Sequence, residues 1–285
     1  MRRWLWPSLA APGIAWLIAL FLVPLYVVLA IAFGRVDPVF RTPLPEWNPA
    51  YWNGAQFGYV FRNLSLFGPA ILRTFGYVLI ASALCLLIAY PVAYYTARLA
   101  GRRRGVLLAL LIAPFWISYM MRMLAWVNLL QNDGLVNRVL GTHVTWLSGN
   151  GYVVVLGLVY GYVPYAILPL YAGLDRIPAH AVEAARDLGA SRAQTFWRVT
   201  LPLSRPALVA SGLLTCLPML GDYFTNDLLS ASPQTSMVGN LINNAVLAPG
   251  QTGQAAAFVL LVLIVSIVPM LLYVRSTRDT EGVRS

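Results

Sequence analysis

Gly173–Pro206 reads GLDRIPAHAVEAARDLGASRAQTFWRVTLPLSRP and is the longest polar run in an otherwise apolar chain. It carries five arginines, Arg176, Arg186, Arg192, Arg198 and Arg205, and lies between two hydrophobic spans. A polar island of this size has to project into water, where it reads as a docking surface. Pro178 stands where a helix can begin, and Ala179 to Leu188 holds helix formers with no internal proline or glycine. Gly189 supplies a C-cap or turn. Ser191 is an N-cap for a second short helix over 192–199, and Leu201-Pro202 is expected to end it, because proline disfavours helix at the preceding residue. The shape predicted is helix, glycine turn, helix. Ala184 and Ala185 give a small face on which another protein can sit closely, and Glu183 offers one negative charge. The plain alternative is a solvated loop whose alanines merely favour helix.

Composition fixes where the rest of the chain lives. Of 285 residues, 59% are hydrophobic and 11% charged, against roughly 25% charged in soluble domains. Most of the surface therefore faces lipid. The formal charge is +10, and every basic residue is arginine. These arginines sit between apolar spans rather than on a polar domain, which is the pattern of topology-setting charge and not of a nucleic-acid surface. Cys85 and Cys216 lie inside apolar runs and have no metal-site spacing.

Six spans are predicted, each near the roughly 20 apolar residues a membrane helix needs: 12–33, 69–97, 106–130, 152–171, 206–222 with a possible extension to 229, and 254–274. The first competes with a signal peptide ending at Ala30-Ile31-Ala32, but its apolar run exceeds the roughly 7–15 residues of a signal core. Pro24 is expected to kink it. Residues 34–68, with four prolines and several aromatics, read as a loop at the membrane–water boundary. Arg122 and Asn128 fall inside the third span, where ionisable groups usually face the bundle interior or water. Gln131–Gly134 reads as a turn. Gly157 and Gly161 form a G-x-x-x-G pair that permits close approach, and Pro164 and Pro169 suggest a broken or bent fourth helix. The segment after the fifth span, with Asp227, Asn240 and Asn244, reads as a loop.

Six spans put both ends on one side. That side holds fourteen arginines: Arg2, Arg3, Arg98, Arg102, Arg103, Arg104, the five of the polar loop, Arg275, Arg278 and Arg284. The other side holds Arg35, Arg41, Arg62, Arg73 and Arg138. The asymmetry places both termini and the polar loop in the cytoplasm. The whole chain, 1–285, reads as one all-α polytopic membrane domain carrying the 173–206 loop.

The loop also carries a resemblance. Glu183-Ala184-Ala185, then Gly189, then Val199 and Leu201-Pro202 match in spacing the EAA loop of the membrane subunits of bacterial ATP-binding-cassette importers; Val199 replaces the usual isoleucine. The resemblance implies a type I, MetI-like permease fold. It implies that Glu183, Ala184, Ala185, Gly189, Val199, Leu201 and Pro202 couple the subunit to an ATPase. Pro114-Phe115-Trp116, Met121–Trp126, Asn132–Asn137, Gly221-Asp222-Tyr223 and Met237–Ile242 are similar to the first permease subunit of spermidine/putrescine importers. Related permeases for other solutes, such as ferric iron, share parts of these.

The partners so implied are a second homologous permease subunit, a cytoplasmic ATPase dimer and an extracytoplasmic solute-binding protein, all at the bacterial cytoplasmic membrane. No cofactor is expected in this subunit; ATP and Mg²⁺ belong to the ATPase. A polyamine path calls for carboxylates and aromatic faces. Asp222 is the first acidic candidate, Tyr223 and Trp126 offer cation–π faces, and Asp133 and Asp227 are expected toward the outer mouth. Asp222 also reads as a helix-end residue or a partner of Arg122. A catalytic role has no footing: a phosphate-binding loop needs a lysine, neither H-E-x-x-H nor G-x-S-x-G occurs, and His143 and His180 fall on opposite sides. A stand-alone channel or secondary transporter would not require the EAA spacing, and a membrane-embedded enzyme would need a nucleophile or metal cluster.

Overall fold

The computed structural model describes residues 2–282, with side chains described for residues 10–271. Arg284 lies outside the described residues, and Arg2, Arg3, Arg275 and Arg278 lie outside the described side chains. Five helices are long and apolar enough to cross a membrane, or six if one bent pair counts as a span. Contacts divide the chain into two compact units, one of residues 1–69 and 241–264, the other of 70–240 and 265–285.

In the first unit, α1 (Arg2–Leu17) continues through a π-helical turn, Ile18–Leu22, into α2 (Val23–Ala32). Ala10–Ala32 is a single apolar rod. Pro24 falls in the first turn after the π segment, where its missing N–H interrupts no regular ladder. The stretch after it is more ordered than a loop. β1 (Arg35–Val36) pairs antiparallel with β2 (Pro43–Leu44), and α3 spans Ala55–Arg62. Trp52 stacks on Phe33 at 4.7 Å and donates its indole N–H to the Glu46 carbonyl. The unit's core is built from Val60, Ala257 and Phe258, with Ala32, Ala256 and Leu260 forming a second cluster.

In the second unit, α4 (Leu64–Arg98) starts earlier than its apolar run. α5 (Arg104–Ile112) and α6 (Tyr119–Leu130) replace the straight third span: the chain bends by 86° between them. The 3₁₀ turn Ala113–Trp116 contains Pro114, and Ile117 is extended, so the helical ladder cannot run through. α7 (Leu135–Leu140) ends at Gly141 in the left-handed region. α8 (Gly151–Asp175) runs unbroken through Pro164 and Pro169.

α9 (Ala179–Asp187) and α10 (Arg192–Thr195) form the polar loop. Here one expectation fails. α10 does not stop at Leu201-Pro202; a π turn, Phe196–Thr200, carries it into α11 (Leu201–Leu220). Pro202 lies in the first turn after that segment, where an amide is dispensable, so Arg192–Leu220 is one 29-residue helix. The fifth span ends at Leu220. After it, α12 (Phe224–Leu229) and α13 (Val238–Leu247) make helices of a stretch expected to be loop, before α14 (Thr252–Gly282).

α8 is the axis of this unit. Gly173 lets Ala207 of α11 approach to within 2.1 Å of where a Cβ would stand, and the Ser211 hydroxyl donates to the Ala166 carbonyl at 2.5 Å. The G-x-x-x-G pair serves two other elements. A Cβ on Gly157 would meet Leu229 of α12 at 2.3 Å, and one on Gly161 would meet the Tyr119 ring of α6 at 2.5 Å. Gly157→Leu is therefore expected to lower stability by about 1–3 kcal/mol through overpacking, read as a lower thermal unfolding midpoint of the purified protein in detergent, whereas Gly76→Leu, with open space at its Cβ, leaves the midpoint unchanged.

Candidate functional site

The polar loop is a rigid hairpin of helices. At the end of α9, Gly189 adopts φ +84°. Its N–H donates to the Arg186 carbonyl at 2.9 Å, and the Ala190 N–H donates to the Ala185 carbonyl at 3.0 Å. That pair of bonds is a Schellman closure, which needs a left-handed residue and so favours glycine. One residue later, Ser191 and Gln194 form a reciprocal capping box, satisfying the first donors of α10. Glu183 and Ala184 are exposed, while Ala185 and Val199 are half-buried. Ala185, Gly189 and Val199 line a shallow cleft of about 320 Å³ between the two helices. Leu201 and Pro202 lie past the cleft, in the continuous α10–α11 rod.

Two further residues belong to this surface and escaped the sequence reading. Leu188 is 89% exposed and Trp197 is 65% exposed. Exposed large apolar side chains on a capped loop can serve as an interaction surface. Leu188 was detectable as the only large apolar residue between Glu183 and Gln194 in a hydrophilic stretch.

The root of the loop is tied to the turn between α4 and α5. Arg98 donates to the Ile177 carbonyl at 2.5 Å, and Arg104 donates to Asp175 at 2.7 Å while lying 5.0 Å from the Tyr171 ring centroid. Arg104–Asp175 is the one ion pair within 4 Å among the described residues. Phe196 in the π turn packs edge-on against Tyr90 and Tyr94 of α4. The loop thus moves with α4, α5 and α11 or not at all.

The path candidates fall into different surroundings. Asp222 is 7% exposed and sits where α11 gives way to α12. Its carboxylate accepts from Tyr119 (2.9 Å), Tyr162 (3.0 Å), the Thr225 hydroxyl (2.9 Å) and the Thr225 N–H (2.9 Å). It is a helix-end residue as well as a hub between α6, α8 and α12, and it makes no ion pair with Arg122. Tyr223, half-buried, stacks on Phe224 at 4.2 Å. Asp227 is exposed and accepts from Asn240 at 2.7 Å; Asn240 also donates to the Tyr223 carbonyl. Trp126 meets Tyr160 edge-on at 5.4 Å and packs on the Met123, Leu130, Val153 and Leu229 cluster. Asp222, Tyr223 and Asp227 are thus brought together, and Trp126 reaches their helix through Leu229. Asp133 sits apart on its exposed turn.

Two residues of this region were not readable beforehand. Tyr119 and Tyr162 hold Asp222, and no periodicity in the sequence singles out those two among fifteen tyrosines. Arg122 is buried, with its Nε lacking a partner and its guanidinium 5.5 Å from the Tyr119 ring.

Comparison with known proteins gives the arrangement its family. The spermidine/putrescine transport system permease protein PotB of Haemophilus influenzae is 33% identical over 254 residues, covering 82% of this chain and 80% of that protein. The PotB protein of Escherichia coli K12 is 33% identical over 222 residues, covering 75% and 79%. The inner membrane ABC transporter permease protein YdcU of the same organism is 31% identical, covering 70% of each chain. Among solved structures, a bacterial alginate ABC transporter in complex with its alginate-bound periplasmic protein superposes at a TM-score of 0.71 with 21% identity, over 98% of this chain and 96% of that one. The MetNI methionine ABC transporter, in inward-facing form, gives 0.59 over 76% and 97%, with 16% identity. A family model described as "binding-protein-dependent transport system inner membrane component" matches residues 86–281, which include the whole polar loop. This chain therefore belongs to that family and is a multi-pass membrane permease of an ABC importer.

Proposed function

We propose that this permease imports a polyamine of the spermidine/putrescine class, forming half of the path beside a second permease subunit and docking a cytoplasmic ATPase through Gly173–Pro206. The observation that carries the coupling role is the loop itself. The EAA spacing falls on a Schellman-closed, box-capped helix pair whose exposed face presents Glu183, Ala184, Leu188 and Trp197. The arginine asymmetry supports cytoplasmic termini and a cytoplasmic loop. The substrate class is supported by relatives at 33% identity over most of both chains that are named as spermidine/putrescine permeases.

ATP and Mg²⁺ are held by the ATPase. Its closure draws the two permease loops together, the spans pass from inward- to outward-open, and solute enters from an extracytoplasmic binding protein. A partner shifts such an equilibrium only by binding the two states differently. The loop root at Arg98, Arg104 and Asp175 is where that difference reaches α4, α5 and α8. In the path, Asp133 and Asp227 present accessible carboxylates, and Trp126 and Tyr223 present ring faces to an ammonium. Asp222 engages an amine when Tyr119 or Tyr162 releases it.

Glu183→Arg and Gly189→Asp are expected to abolish ATP-driven uptake while the protein still inserts. Gly189→Asp loses the left-handed closure of α9, and Glu183→Arg inverts the charge at the docking face. Uptake into proteoliposomes bearing the whole complex, with membrane insertion monitored in parallel, measures this; full transport by either variant sinks the coupling role. The same vesicles decide the cargo. Labelled spermidine or putrescine is expected to accumulate in an ATP- and binding-protein-dependent manner, and transport of ferric iron or another solute with no polyamine uptake or competition would refute the polyamine reading.

A further inference from the structure

The turn between α4 and α5 carries two arginines that coupling and transport leave unused. Arg102 and Arg103 are exposed, and neither forms an ion pair among the described residues. Their backbone is nonetheless held firmly. Gly101 takes φ +48° to make the turn. On either side of it, Arg98 is bonded to the Ile177 carbonyl and Arg104 to Asp175. Arg176 is exposed between those two partners. The turn and the root of the loop beside it thus carry five arginines, of which Arg104 pairs with Asp175.

Next to this turn, between α4 and α5, runs an open groove of about 370 Å³ lined by Pro91, Val92, Tyr95, Leu107, Leu110 and Leu111, with Thr96 at its edge. Thr96 spends its hydroxyl on the Val92 carbonyl at 2.8 Å, so the groove presents hydrocarbon almost throughout. Leu107 is four residues past Arg103, about 6 Å of helix rise, which is within the length of an arginine side chain.

We propose that this groove is a binding site for an anionic phospholipid of the cytoplasmic leaflet, its acyl chain lying between α4 and α5 and its phosphate at Arg102 and Arg103. The groove matches both halves of such a molecule. Apolar walls take the chain, and the exposed guanidinium groups of the adjoining turn attract a phosphate by charge and hydrogen bonding. Basic residues beside a span attract anionic headgroups, each raising affinity by roughly fivefold. A zwitterionic lipid gains little from the same rim, because its own ammonium faces the arginines. Since the phosphate would lie beside the Arg104–Asp175 pair, lipid composition would bear on the root of the coupling loop. The leaflet rests on the orientation proposed above; the groove and its rim do not.

The test uses the purified transporter complex and native mass spectrometry, with phosphatidylglycerol, phosphatidylcholine and inorganic phosphate as probes. Phosphatidylglycerol is expected to be retained over phosphatidylcholine. Arg102→Gln with Arg103→Gln should cut that retention roughly tenfold or more, the Lys pair should keep most of it, and Leu107→Trp should cut it by filling the groove with the charges intact. Equal retention of the two lipids, or retention untouched by both the Gln pair and Leu107→Trp, overturns the proposal. So does binding of inorganic phosphate alone that competes with the lipid and ignores Leu107→Trp, or cross-linking of Leu107→Cys to a second permease subunit. Labelling of Arg102→Cys by an impermeant maleimide only from outside the cell would sink the orientation instead, while lipid retention still reports on the groove.

Discussion

Lipid supplies no hydrogen bonds, so every break in a membrane helix has to find its donors and acceptors within the chain. That constraint explains where the polar side chains of this permease stand. At the junction of α11 and α12 the Asp222 carboxylate takes four donors from three elements. At the turn after α6, Asn137 is buried and bonds the Asn132 and Val144 carbonyls, the Trp146 indole and the Thr142 hydroxyl. In the first turn of α13, Asn240 bonds the Met237 N–H, the Tyr223 carbonyl and Asp227. Each of these residues stands beside a place where the chain leaves the helix, and each replaces the ladder bonds lost there. A permease that must change shape needs such breaks, and these side chains decide where the breaks can be.

The polar loop answers the opposite requirement. A short helix in an exposed polar loop is marginal by itself, yet both helices of this one are closed and capped. Closure of α9 through Gly189, the capping box on α10 and the arginine contacts at its root hold the loop together without a hydrophobic core. What is left exposed on it, small alanines beside Leu188 and Trp197, is the material of an interface.

The six apolar runs, the loop and its caps were legible from composition, charge and punctuation residues, because those signals are local. Gly189 and Ser191 do in the structure what their types and positions imply. The misreadings have a common cause. Pro202 reads as a stop because proline disfavours helix at the residue before it, but the helix enters it through a π turn and runs on. Pro114 lies in a run that is apolar on average, so hydropathy carries it straight through a bend of 86°. α3 and α13 are short, and their stability comes from Val60 and Leu241 packing on Phe258, contacts between residues distant in sequence. The Tyr119–Asp222–Tyr162 cluster joins positions 60 and more apart, a relation that no spacing rule reaches.

The helix that runs from Arg192 to Leu220 has one more implication. Its 29 residues make a shaft about 44 Å long, with one end in the polar loop and the other next to Asp222. The element is continuous, and its regular ladder is interrupted at the π turn Phe196–Thr200 and again where Pro206 and Pro218 lack an amide N–H. The π turn holds one surplus residue, which can be taken up or released by a change of helical register. A shift of that register would turn the face that α11 shows to α8 relative to α10.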